Sequence, residues 1–297
     1  MIDFTKLKNP VLDKRPNAFV RDAAIIYHNG VLRCFHTTVE ETNGVRHLYL
    51  EMSVSENLID WQTTRLTDSD LNFSSPGNII WDGQQWIMCV QSYPITPGEL
   101  WGNDDSRLWL MFSNDLENWS EPEVMVKDGC TCDWATSPRQ IDPYLVHHNN
   151  EYYCFYKADS KYGAVKSPDL KNWQEVSPDK PIIAHQDIPD RRAIENPCII
   201  KDDNGKYMLF FSPCREGRGI GVAYSDNLIE WKDFKYLNFP KLPWANNGPT
   251  APAIIDMRQE SGCWLMLFHG DDDHEGHSAA LGMARSNNLI DWIIHEK

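Results

Sequence analysis

Ser55-Glu56-Asn57-Leu58-Ile59-Asp60-Trp61 is the first of five copies of the pattern Ser-x-(Asp/Asn)-Leu-x-x-Trp. The others run from Ser113 to Trp119, Ser167 to Trp173, Ser225 to Trp231 and Ser286 to Trp292, each matching at every defined position. Successive tryptophans lie 58, 54, 58 and 61 residues apart. A near-constant period of this length marks a repeat architecture.

Working outward from each copy, the same plan recurs. A run rich in β-branched and aromatic residues leads into the serine, as in Leu48-Tyr49-Leu50-Glu51-Met52-Ser53-Val54, and the tryptophan opens a further short run. Earlier in the unit lie two more strand candidates, Ala23 to Tyr27 and Val31 to His36, joined by His28-Asn29-Gly30. Asn-Gly suits such a hairpin because it accepts the positive φ of a tight turn. Equivalent pairs flank Asp82-Gly83, Asn149-Asn150 and Asp203-Asn204-Gly205, and a longer turn joins Ala253-Ile254-Ile255 to the run from Trp264 to His269. Four strands per unit, five times over, predict an all-β protein, a five-bladed β-propeller with four antiparallel strands per blade. Solenoid periods are usually shorter and often carry helices, which disfavours that alternative. The expected blades are 21–68, 75–127, 140–178, 193–240 and 248–297, with residues 1–20 packing across the closure and 1–297 forming one domain. Leu and Trp of the repeat are read as filling between blades, with Ser and Asp/Asn bonding turn backbone.

Composition narrows the function. A net charge of −15 argues against nucleic-acid binding, which needs clustered Lys and Arg. No apolar run is long enough for a membrane helix, and the N-terminus has no signal-peptide pattern, so a soluble cytoplasmic protein is expected. Of the eight cysteines, only Cys130-x-Cys132 is a close pair, a poor zinc site without two further ligands.

In a propeller the first strand of each blade lines the central channel, so side chains at its start converge on one mouth. Three such starts carry a carboxylate at nearly the same place: Asp22 in Arg21-Asp22-Ala23, Asp142 in Ile141-Asp142-Pro143, and Glu195 in Glu195-Asn196-Pro197. Charges heading apolar strands are costly to bury unless paired or used. Carboxylates facing one another suit glycoside hydrolysis, one activating water and another donating a proton to the leaving oxygen. A third negative charge can raise the donor's pKa.

These residues give the chain its resemblance to glycoside hydrolase family 43 and related five-bladed β-propeller glycosidases. The resemblance rests on an Asp heading blade one, an Asp-Pro in blade three and a Glu-x-Pro in blade four. It implies Asp22 as general base, Asp142 as the residue tuning and orienting the acid, Glu195 as general acid, and an inverting mechanism. Two departures stand out: Ala23 where proline is usual and Asn196 where glycine is common. In similar propellers a histidine at the position of His269 helps hold a water-ligated cation, often calcium. The alternative is a histidine satisfied by backbone. The acidic run Asp271-Asp272-Asp273-His274-Glu275 reads as a solvated loop, since its spacing lacks the alternation of a calcium loop.

Sugar recognition needs aromatic platforms and polar forks. Trp101, Trp134 and Trp244 lie in long loops that either overhang the mouth or pack their own loop. Arg192 and Arg285 are further candidates for substrate contact. The leading expectation is a hydrolase that removes a terminal pentose, α-L-arabinofuranose or β-D-xylose, from oligosaccharides. Three alternatives stand beside it. One is a phosphate-dependent phosphorylase using Arg191, Arg192, Arg215 and Arg218. Another is a fructosidase-like enzyme, whose Trp-x-Asn-Asp-Pro motif Arg21-Asp22-Ala23 does not match. The last is a propeller that binds sugar without cleaving it.

Overall fold

Each unit folds into one four-stranded antiparallel sheet whose strands lie side by side in chain order, giving the expected five-bladed propeller. The structure is a computed structural model that describes residues 4–214, 219–271 and 278–295, without the Thr5 side chain. Blade one contains β1 (Ala18–His28), β2 (Val31–Thr42), β3 (Val45–Ser55) and β4 (Gln62–Arg65). Blade two contains β5 (Ile79–Trp81), β6 (Trp86–Gln91), β7 (Leu108–Ser113) and β8 (Glu123–Val124). Blade three contains β9 (Ile141–His148), β10 (Glu151–Ala158), β11 (Lys161–Ser167) and β12 (Gln174–Glu175). Blade four contains β13 (Ile194–Lys201), β14 (Tyr207–Pro213), β15 (Gly221–Ser225) and β16 (Lys232–Tyr236). Blade five contains β17 (Pro249–Met257), β18 (Cys263–Asp271), β19 (Ala279–Ser286) and β20 (Trp292–Ile294).

The repeated heptad is the turn from third to fourth strand. Its serine Oγ accepts the leucine N–H at 2.9–3.0 Å in four copies, at Leu58, Leu116, Leu228 and Leu289. The Asp/Asn Oδ1 accepts two more N–H groups, as Asn227 does from Ile229 and Glu230. All five leucines sit at φ 63–69°, in the left-handed region. That conformation costs a leucine roughly 1–2 kcal/mol. Burial of the side chain, worth roughly 1.5–3 kcal/mol, offsets it. Trp119 meets Phe35 edge-on at 5.4 Å and Trp231 meets Phe155 at 6.3 Å, each reaching the preceding blade. Asn227→Ala should therefore lower stability by about 1 kcal/mol. Urea titration checks this, and a change of only a few tenths would show that the turn is held by other means.

The ring closes between blades five and one. Val11 N–H donates to the Leu281 carbonyl at 2.8 Å, and Leu281 N–H returns a bond to Leu12 at 2.8 Å. Asn9 clamps the same strand, its Nδ2 donating to Met283 and its Oδ1 accepting from the Met283 N–H. Near the axis the blades approach closely. A Cβ on Gly77 would lie 1.7 Å from the Pro143 carbonyl oxygen, so only glycine fits between blades two and three.

Candidate active site

Each blade carries one residue at positive φ on, or a few residues before, its innermost strand, facing the mouth. These are Asp22, Ser75, Asp142, Asn196 and Ala251, at φ 42–54°. The next residues are Ala23, Pro76, Pro143, Pro197 and Pro252. The ladders of blades one, three, four and five break register here, the mark of a bulge. A bulge ends pairing and re-aims side chains. Asp and Asn tolerate the left-handed region better than most residues, which suits three of the five positions.

A second ring, on the second strands, holds the first in place. Register pairs Arg21 with Thr37, Ser74 with Gln91, Ile141 with Lys157, Glu195 with Ser212 and Thr250 with His269. Four of these partners accept the bulge N–H of the following blade. Thr37 Oγ1 takes that of Ser75 at 2.7 Å and Gln91 Oε1 that of Asp142 at 2.7 Å. Ser212 Oγ takes that of Ala251 at 2.7 Å, and His269 Nδ1 that of Asp22 at 3.2 Å. Blade four differs: the Asn196 N–H goes to Asp142 Oδ2 at 3.3 Å. Lys157, at the equivalent place, donates instead to Glu195 Oε2 at 2.9 Å.

This phase corrects one expectation. Asp22 and Asp142 are equivalent, but Glu195 stands one residue upstream, in the register of Arg21, Ser74, Ile141 and Thr250. The bulge position of blade four is Asn196, whose Nδ2 reaches Asp22 Oδ1 at 3.4 Å while its N–H reaches Asp142. Asn196 thus ties the two aspartates together.

All three carboxylates line one cleft of about 410 Å³, with Arg21, Arg46, Arg139 and Lys157, the aromatic residues Phe19, Tyr93 and Trp101, and Asn196. Their environments differ. Burial opposes the charge of Asp22, but Arg21 at 3.7 Å and the Ser75 hydroxyl at 3.1 Å hold its carboxyl below the usual range. For Asp142, burial acts the other way and wins. With Glu195 and Asp22 adding repulsion against the pull of Lys157, its pKa rises to about 6. Burial disfavours the Lys157 ammonium, but Glu195 foremost keeps it charged. One cleft therefore holds a firmly ionised carboxylate and a readily protonated carboxyl, the separation that acid–base pairs need.

Of the residues singled out for sugar contact, Trp101 lies on the cleft and is half exposed. Trp134 and Trp244 do not line it. Trp134 stacks on Tyr156 and donates to the Ser177 carbonyl. Trp244 stacks on Phe268, close to Gly270 and Gly282. Both pack beneath their loops because a small residue leaves room for the ring. Arg192 pairs with Asp190, and Arg285 donates to His295 and packs over Phe4 near the closure, so neither faces the cleft. Arg215, Arg218 and 272–275 of the acidic run lie outside the described residues.

His269 is buried, its Nδ1 accepting the Asp22 N–H and its Nε2 facing Asp271 Oδ1 at 3.6 Å. It is the blade-five member of the capping ring, and the accepted bond places its proton on Nε2. Its Nε2 is buried and makes no hydrogen bond among the described residues, so that nitrogen, not Nδ1, is the one a water-ligated cation on the axis would meet. Among the described residues, the cluster whose three ligand atoms lie within 4.8 Å of one another is Cys130, Cys132 and Glu175, away from the cleft.

Lys157, Arg21, Arg46, Arg139 and Tyr93 were not anticipated as cleft residues. Lys157 had a legible signal, a lone cation ending the apolar run Tyr152 to Tyr156. Arg139 and Tyr93 lie in inter-strand loops, where no periodicity marks them.

The fold is shared with five-bladed propeller glycosidases of known structure. Neither a protein-family profile nor a curated protein matches the sequence. Among solved structures, the chain is similar to the catalytic domain of a GH62 α-L-arabinofuranosidase from Coprinopsis cinerea. The TM-score is 0.71 at 11% identity, covering 95% of this chain and 96% of that one. It is also similar to an exo-1,5-α-L-arabinanase from a bovine ruminal metagenomic library, with TM-score 0.66 at 15% identity, covering 96% and 99%. A thermostable family-43 glycoside hydrolase aligns with TM-score 0.67 at 15% identity, covering 98% and 96%. At these identities the likeness establishes the fold.

Proposed function

We propose that this protein is an inverting glycoside hydrolase that removes a terminal pentose, α-L-arabinofuranose or β-D-xylose, from an oligosaccharide. The observation that carries the reading is the convergence of Asp22, Asp142 and Glu195 on one cleft, with Asp22 firmly ionised and Asp142 raised to about 6. The pentosidases among the similar structures support the choice of sugar. Asp22 serves as general base, taking a proton from water as it attacks the anomeric carbon. Asn196 and the Ser75 hydroxyl orient its carboxylate. Trp101 offers an apolar face to the sugar ring.

Glu195 is the general acid, with Asp142 tuning it. One observation favours a variant of this assignment. The Lys157 ammonium holds Glu195 at 2.9 Å, whereas Asp142 has the environment of a protonated carboxyl. Leaving-group dependence separates the two. If Glu195 is the acid, Glu195→Gln lowers hydrolysis of an alkyl pentoside by about 10²-fold or more and spares an aryl pentoside with a good leaving group. If Asp142→Asn shows that selectivity instead, Asp142 is the donor. Equal rates for wild type and both variants would sink the hydrolase reading.

The pH profile follows from the same two aspartates. If Asp142 must be protonated, kcat/KM should fall as pH rises through about 6. With Asp22 depressed, the acidic limb should lie below pH ~4. A flat profile from about pH 5 to about pH 8 would show that the reaction does not require a protonated Asp142.

A further inference from the structure

The cleft carries positive charge that the three carboxylates do not use up. Lys157 is paired with Glu195, and Arg46 donates to Glu41, which is not a cleft residue. Arg21 Nε lies 3.7 Å from Asp22 Oδ2 as an ion pair, but that Nε is buried and the side chain makes no hydrogen bond among the described residues. Arg139 goes further. Among the described residues it has neither an ion pair nor a side-chain hydrogen bond, its Nε is buried, and its guanidinium lies over the Tyr93 ring at 5.3 Å. This occurs in a chain whose net charge is −15, where acidic partners are plentiful.

A guanidinium offers five N–H donors in a planar fork that matches a carboxylate or phosphate. Buried donors in native structures almost always find acceptors, so each exception calls for an explanation. Arg139 also sits three residues before Asp142, on the loop that enters β9, which places the fork at the edge of the reacting centre.

We infer that Arg139, with Arg21, forms an oxyanion subsite beside the three carboxylates, taking the carboxylate of a uronic sugar or a phosphate group. The Tyr93 ring, 5.3 Å from the planar Arg139 guanidinium, helps to hold it in place, which favours bidentate pairing. The identification of the anion as substrate chemistry rests on the hydrolase reading. In that setting, the glycan carries an acidic sugar or a phosphate group next to the pentose.

Binding to the full wild-type chain tests this without turnover. Ligand-detected NMR titrations would compare methyl glucuronoside and methyl galacturonoside with methyl glucoside and methyl galactoside, and would include inorganic phosphate. At least one anion should bind about tenfold or more tightly than the neutral sugars, and more weakly as salt rises. Arg139→Gln should remove that preference, and Arg139→Lys should retain part of it. A uronate preference assigns the anion to the glycan, and Arg139-dependent phosphate binding alone assigns it to phosphate. The proposal is overturned if no anion outbinds the neutral sugars, or if the preference survives unchanged in Arg139→Gln. Should Arg139→Gln not fold, the wild-type preference and Arg139→Lys decide. Failure of hydrolysis on every glycan would refute the hydrolase reading while leaving these titrations intact.

Discussion

Asp22→Asn lowers kcat by about 10³- to 10⁴-fold, the range expected when a positioned general base is lost. The substitution keeps the shape of the side chain and an oxygen for the Ser75 hydroxyl, so the bulge should survive. The bulge depends on the Asp22 N–H reaching His269, which the side-chain change does not touch. What disappears is the charge. Asp22 stays ionised because Arg21 and Ser75 outweigh its burial, and a neutral amide cannot take a proton from water. Steady-state kinetics on an aryl pentoside would check it, with circular dichroism to show retained structure. A loss below about tenfold, far under the usual contribution of a base, would remove Asp22 from that role.

Asp142→Asn is expected to move stability and activity in opposite directions. The folded protein holds the Asp142 proton more tightly than the unfolded chain, raising the pKa from 3.8 to about 6. Protonation therefore favours folding, and this contribution fades as pH rises through that interval. Above it, the ionised carboxylate burdens the fold by up to about 3 kcal/mol. Asparagine carries no such charge and keeps an oxygen for the Asn196 N–H. The variant should thus be more stable than wild type near pH 7.5 by up to about 3 kcal/mol, with the difference vanishing below about pH 3. Activity should drop by about 10²-fold. Denaturant titrations at the two pH values read the first effect. Equal stabilities at both would mean that Asp142 is not strained by its charge.

The propeller was legible because its signal is repetitive. Five copies of one turn, each with a leucine in the left-handed region, set the blade phase, and the phase pointed to the strand heads. Asp22 and Asp142 were found that way because they occupy the same bulge. Glu195 was found by its motif, but its one-residue offset was not visible, since register depends on the ladder with Ser212 rather than on local sequence. The loop residues divided differently. Trp101, Trp134 and Trp244 look alike in sequence, yet only Trp101 lines the cleft. Trp134 and Trp244 are drawn down by the space above Gly163, Gly270 and Gly282. Arg139 was invisible for the opposite reason, because its lack of partners is a property of the folded cleft.

The configuration of the first-formed sugar tests the central claim most directly. Proton NMR of the wild-type enzyme with an aryl α-L-arabinofuranoside and an aryl β-D-xyloside would follow the anomeric signal before mutarotation. Attack by water held on Asp22 predicts the inverted anomer, and Asp22→Asn should suppress it. A product of retained configuration, or cleavage of neither pentoside, would contradict it.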